Sequence, residues 1–190
     1  MLDFLNHYSD AFTAIAALIA SGGAIYGVNE WKRQFKWRIE YETAQKYVRR
    51  LYQLRDAINR EVRNPAISSK EVEIAQETAS LQGADVTRAN EHWIVYLQRW
   101  QKVTEARTVL RESLLETEVL WGKDIGNAQR GLDLLIGELY GKIWSTFNNP
   151  GSRHVGFDTY LYHTDGNDDF TKRIQDAVEE IEKFVRPHLT

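Results

Sequence analysis

The hydrophobic pattern changes character at residue 28. Residues 11–28, AFTAIAALIASGGAIYGV, hold eighteen positions without a charge. As a helix, eighteen residues span about 27 Å, close to the ~30 Å hydrocarbon thickness of a bilayer. No comparable stretch follows, so the pattern predicts one transmembrane helix. Much of it is Ala, Gly and Ser, and the competing reading is the buried first helix of a soluble bundle. The flanks favour the span. Lys32, Arg33, Lys36 and Arg38 lie on its C-terminal side, whereas only acidic residues, Asp3 and Asp10, precede it. Such asymmetry places the C-terminal part in the cytoplasm and the N-terminus outside. Trp31, Phe35 and Trp37 suit one membrane interface and Tyr8 the other. The start lacks the basic residues of a secretory leader, which predicts an uncleaved span.

Beyond residue 40 the apolar positions recur every three or four residues, the signature of amphipathic helices. The first seam reads Tyr41, Ala44, Val48, Leu51, Arg55, Ile58 and Val62. No Pro or Gly interrupts residues 28–63, so a long helix is expected to continue from the span and end at Asn64-Pro65. Ser68 or Ser69 can cap a short second helix with Val72, Ala75 and Ala79 on one side. A third, about 85–121, carries Val86, Ala89, Trp93, Tyr96, Trp100, Val103, Arg107, Leu110, Leu114, Thr117 and Trp121. Gly83 precedes it and Gly122 stops it. A fourth begins at Asp124 with Ile125, Ala128, Leu132, Leu135, Leu139, Ile143 and Phe147, and Asn148 to Gly151 ends it. After an irregular stretch, a last helix capped by Asp168 or Asp169 carries Phe170, Ile174, Ala177, Ile181 and Val185, and Pro187 closes it. The expectation is an all-α protein. An N-terminal segment and span (1–29) lead into a basic aromatic collar (30–40), then an antiparallel cytoplasmic bundle (41–190) with an irregular loop at 148–168.

Composition adds two constraints. Cys is absent from the 190 residues, which excludes disulfides, thiolate metal sites and a Cys nucleophile. Net charge is −3, but residues 30–63 hold ten Lys/Arg against five Asp/Glu, and residues 64–190 hold fourteen against twenty. A generic nucleic-acid binder would be basic overall. This distribution instead suits a basic collar, comprising Trp31, Lys32, Arg33, Lys36, Trp37 and Arg38, beside anionic lipid.

Small residues in the span point to self-association. Ala16, Ala20 and Ala24 form a four-residue ladder, and Gly23 and Gly27 make a small-xxx-small pair. Such residues let helix backbones approach closely in lipid. Arg55 and Arg107 interrupt apolar seams. Each either reaches water from a seam edge or is paired, with Glu112, Glu118 or a neighbouring subunit's acid as candidates.

Catalytic signatures are weak. Arg88 and His92 lie one helical turn apart and could share an anion. Ribonucleases of the HEPN class place four to six residues between their Arg and His, whereas three intervene here. His154, Asp158, His163 and Asp165 are metal-capable residues within twelve positions, yet they follow no established ligand spacing. The Asp165–Asp169 run starts like a calcium loop, but its Gly is at the wrong place and Asp176 stands where the twelfth-position Glu is needed. Trp93, Trp100 and Trp121 fall at heptad multiples, as core or interface residues do. Phosphate loops and nucleophile elbows are absent. No enzyme activity and no cofactor are therefore expected.

The order of parts over residues 8–60 resembles the small helical membrane effectors of bacterial antiphage systems, including the membrane accessory protein of type VI-B CRISPR loci. The resemblance implies a bacterial inner-membrane protein that oligomerises through its span and bundle, forming a pore or perturbing the membrane. Its partners would be copies of itself and membrane lipids. A membrane-tethered scaffold recruiting a protein partner is the first alternative. A soluble HEPN-like protein that binds or cleaves RNA is the second.

Overall fold

The computed structural model describes residues 2–64, 66–81, 91–148 and 168–189, with side chains described from residue 18 onward except at 91 and 148. The described residues contain helices and no strand. Helix α1 runs Leu2–Asp56 and passes into a π-helical turn, Ala57–Val62. Then come α2 (Ser69–Leu81), α3 (Glu91–Trp121), α4 (Asp124–Asn148) and α5 (Asp169–Val185), followed by a 3₁₀ turn, Arg186–His188. The chain divides into two compact units, residues 1–42 and 43–190.

Boundary chemistry sets the helix ends. Ser68 and Glu71 form a reciprocal capping box at α2. The Glu71 N–H donates to Ser68 Oγ (3.3 Å), and the Ser68 N–H donates to Glu71 Oε2 (2.9 Å). Gly122 ends α3 at φ +86°, a left-handed conformation that glycine adopts without a Cβ penalty, and its N–H donates to Glu118 O. Asp168 caps α5 by accepting from the Thr171 N–H at 2.8 Å.

Within residues 43–190, ion pairs and ring contacts fix an antiparallel arrangement. Along α1 and its π turn, Lys46, Arg50 and Glu61 ascend. Their α3 partners, Glu116, the Val109 carbonyl and Lys102, descend. Between α3 and α4 the rungs are Trp93–Phe147, Trp100–Tyr140 and Arg107–Asp133, each seven residues on from the last. Tyr52 on α1 donates to Glu182 on α5, and Arg63 pairs with Asp168.

The core forms where these helices meet. Ala44, Tyr47, Leu51, Leu54, Ile58 and Val62 are buried with Val103, Leu110, Leu132, Leu139, Ile174 and Ile181, among others. The expected seams supply most of these residues. Tyr41, Val48 and Arg55 are only half-buried, while Tyr47 and Leu54, off the expected seam, are wholly inside. Tyr47 keeps its hydroxyl satisfied by donating to Gln129 Oε1 at 2.7 Å. Burial, then the charges of Asp133 and Glu118, push its phenol well above the ordinary tyrosine range.

Candidate functional site

The side chains of α1 from Leu18 to Ile39 include no buried residue within their unit. Leu18, Ile19 and Tyr26 are 74%, 71% and 73% exposed, and Ile25, Val28, Trp31, Phe35 and Trp37 are also exposed. On a helical wheel of 100° per residue, Ala20, Gly23, Ala24 and Gly27 gather on one side and Leu18, Ile19, Ile25 and Tyr26 on the other. A Cβ built at Gly23 or Gly27 would meet nothing within 4 Å. This arrangement, smooth on one side and bulky on the other, can accept a close helix on its small-residue side. Ala16 and the whole of 11–17, the first part of the expected span, have side chains outside the described residues. Among the described residues no helix is long and apolar enough to cross a membrane.

The collar is less basic than its composition suggests. Arg33 pairs with Glu30 at 2.8 Å, Lys36 with Glu40 at 3.7 Å, and Arg38 with Glu42 at 2.8 Å. The hydrogen bonds from Arg33 and Gln34 hold the Glu30 carboxyl below its ordinary value. Among the described residues, only Lys32 of the four expected cations lacks a carboxylate partner, so local i,i+3 and i,i+4 pairing offsets most of the collar's positive charge. The aromatic side chains also pair, Trp31 stacking on Phe35 at 5.6 Å and Trp37 on Tyr41 at 5.5 Å between ring centroids.

In the second unit the seam arginines take different partners from those expected. Arg55 is half-exposed, pairs with its neighbour Asp56 at 3.0 Å and lies 4.6 Å from the Tyr52 ring centroid. Arg107 donates from Nε to Asp133 Oδ1 at 2.7 Å, with neither Glu112 nor Glu118 involved. The tryptophans are partly buried against the core. Trp121 stacks on His188 at 4.2 Å.

Among the described residues, two other arginines are the buried charges. Arg63 is 0% exposed and Arg99 5%. In a continuous α-helix, residue 63 would lie about 140° round from Ile58. The π turn instead bonds the Arg63 N–H to Ile58 O at 3.0 Å, so residues five apart come into line and Arg63 faces inward. It donates to Asp168 Oδ1 (2.7 Å) and Thr171 Oγ1 (2.5 Å) and lies over the Phe170 ring. Burial would raise the Asp168 carboxyl, but the Thr171 hydroxyl and N–H and the Arg63 guanidinium outweigh it and hold it below its ordinary value. Arg99 forks onto Glu71, Nε to Oε1 at 2.8 Å and Nη2 to Oε2 at 3.0 Å. It also donates to the carbonyls of Asn64 (2.5 Å) and Ala66 (2.6 Å). The Arg99 hydrogen bond, helped by Ser68, lowers the Glu71 carboxyl to about 2. Both guanidiniums are paired: Arg99 clasps the chain reversal after α1, and Arg63 ties the end of the π turn to the start of α5.

Of the remaining candidates, His92 is exposed on α3, and Arg88 lies outside the described residues. His154, Asp158, His163 and Asp165 also lie outside them, and the described residues contain no cluster suited to a metal ion. The chain matches no protein-family model, no curated protein and no solved structure.

Proposed function

We propose that this chain is a single-span membrane-anchored protein whose helical bundle self-assembles. The observation that carries the proposal is the uncovered apolar and aromatic surface of α1 from Leu18 to Trp37, continuous in sequence with the uncharged residues 11–17. That much exposed apolar surface in one segment calls for lipid or a partner. The span is residues 11–28, with its N-terminus outside and the bundle in the cytoplasm. Copies meet through Ala16, Ala20, Gly23, Ala24 and Gly27, where backbones can approach. Gathered spans form a pore or perturb the membrane, the role that the likeness to bacterial antiphage effectors implies. Carbonate extraction of membranes tests the anchor. Retention in the membrane pellet is expected, and release into the soluble fraction overturns it.

A second reading is favoured by the absence, among the described residues, of a helix long and apolar enough to cross a membrane. In it α1 pairs with copies of itself in water, burying the same surface as a coiled coil. Release by carbonate, with an oligomer on sizing in the absence of detergent, selects this reading. Release as a monomer leaves the soluble HEPN-like or RNA-binding alternative. A monomer in detergent that still localises to the membrane and recruits a protein makes the chain a tether.

A further inference from the structure

A cleft of about 330 Å³ lies along the outer side of the α3–α4 hairpin, wholly within residues 43–190. Its polar rim is Arg111 and Glu118 from α3, Lys123 from the turn, and Asn127, Arg130 and Asp133 from α4. Its volume is at the small end of the roughly 300–1,000 Å³ range of ligand clefts. The charges do not cancel. Asp133 is committed to Arg107 at 2.7 Å, which leaves three cations against one uncommitted carboxylate, Glu118. Among the described residues, Arg111, Lys123 and Arg130 have no carboxylate within ion-pair reach. All three are exposed, and three cations around one concavity raise the positive potential that an approaching anion meets.

On the cleft floor the Glu118 carboxylate packs against the α4 backbone. Gly126 contributes no side chain there, and a Cβ at that position would come within 2.3 Å of Glu118 Oε1. The Glu118 carboxylate therefore lies directly over the α4 backbone at the edge of the cationic group. Gly126 and Asn127 belong to the first turn of α4, with Lys123 just before it, where the helix dipole adds positive potential that Asp124 offsets in part. Gln129, beneath, is buried and held by Tyr47, which gives the cleft a fixed base.

We propose that this cleft binds a small phosphate monoester carrying a hydroxyl group. The surplus of two positive charges matches the dianionic phosphate. Two guanidiniums supply planar forks suited to phosphate oxygens, and Glu118 accepts from the hydroxyl. The same chemistry is presented by a free polyol phosphate and by the headgroup of a phosphomonoester lipid.

Isothermal titration calorimetry on the full chain in neutral detergent tests this, with inorganic phosphate, glycerol 3-phosphate and dihexanoyl phosphatidic acid as probes. The expected result is saturable binding, with glycerol 3-phosphate tighter than inorganic phosphate. Binding should weaken at least about tenfold in Arg111→Gln/Arg130→Gln and stay unchanged in Lys70→Gln/Lys172→Gln, which removes the same charge from exposed positions outside the cleft. Circular dichroism melting of both double variants confirms that each is folded. Glycerol 3-phosphate and the lipid binding alike identifies a soluble ester as sufficient, whereas the lipid binding without glycerol 3-phosphate identifies the headgroup. Absence of saturable binding by all three probes at millimolar concentration, or equal weakening in both double variants, overturns the proposal. Neither outcome depends on the membrane anchor.

Discussion

Arg107 and Asp133 form the third rung of a ladder whose first two rungs are aromatic. Trp93 meets Phe147, Trp100 meets Tyr140, and seven residues further along both helices Arg107 Nε meets Asp133 Oδ1 at 2.7 Å. The heptad step thus passes from ring contacts to an ion pair without a change of register. Arg107 and Asp133 are both partly exposed, so solvent screens the pair. Arg107→Met should change stability by less than about 1 kcal/mol in urea denaturation, and a larger loss would mean the ion pair sets the register.

The buried clasps should behave oppositely. Arg99→Met strands Glu71 and the Asn64 and Ala66 carbonyls. It should destabilise by about 3 kcal/mol, the low end for breaking a buried pair because Glu71 is partly exposed. Arg99→Lys should recover only part, since an ammonium cannot fork onto the carboxylate while reaching both carbonyls. Equal stability of wild type and Arg99→Met would refute the clasp.

Asp168 has two roles, capping α5 and holding Arg63. Asp168→Asn retains an N-cap acceptor but loses the charge, whereas Asp168→Ala loses both. A double-mutant cycle of Asp168→Ala with Arg63→Met should give a coupling of about 1–3 kcal/mol. Additivity of the two changes would show that the guanidinium and carboxylate do not act together.

Acid should loosen the bundle through these same carboxylates. Glu71 moves from 4.5 to about 2, and Asp168 is also lowered. Each folded-state value lies below its unfolded one, so the stabilisation is fully present above the unfolded values and drains away as pH falls from about 4.5 towards 2. Urea midpoints measured across that window should fall more steeply for wild type than for Glu71→Gln. Parallel curves would contradict the assignment.

Two glycine substitutions should separate in sign. Gly122→Ala forces a Cβ into a left-handed conformation and should lower stability by roughly 1 kcal/mol. Gly131→Ala, exposed in mid-α4 with open space around it, should raise it by roughly 0.5–1 kcal/mol. Thermal melting of both variants is sufficient to check this.

Assembly through α1 predicts that Gly23→Leu/Gly27→Leu disrupts the oligomer in detergent, because both positions are open on the small-residue side. Cross-linking or light scattering reads the outcome. An intact oligomer would place the contact elsewhere, and an intact localisation with lost assembly would separate anchor from interface.

Local chemistry made much of the fold legible. The three- and four-residue spacing of apolar positions located the helices, and Gly122 and Asp168 marked boundaries where the structure has them, because turns and caps are decided within a few residues. The sequence by itself also determined the uncharged stretch and the mixed-charge collar that follows. Only the tertiary structure decided which charges are buried and with whom. Arg63 lies off the regular seam and enters the core because a π turn adds a residue to the last coil of the first helix. Arg99, four residues after buried Val95, belongs to a second stripe, and its partner Glu71 is 28 positions away. The physical reason is range. Backbone periodicity and capping act over one or two turns, whereas the pairing of a guanidinium depends on which distant carboxylate the packing brings within 3 Å.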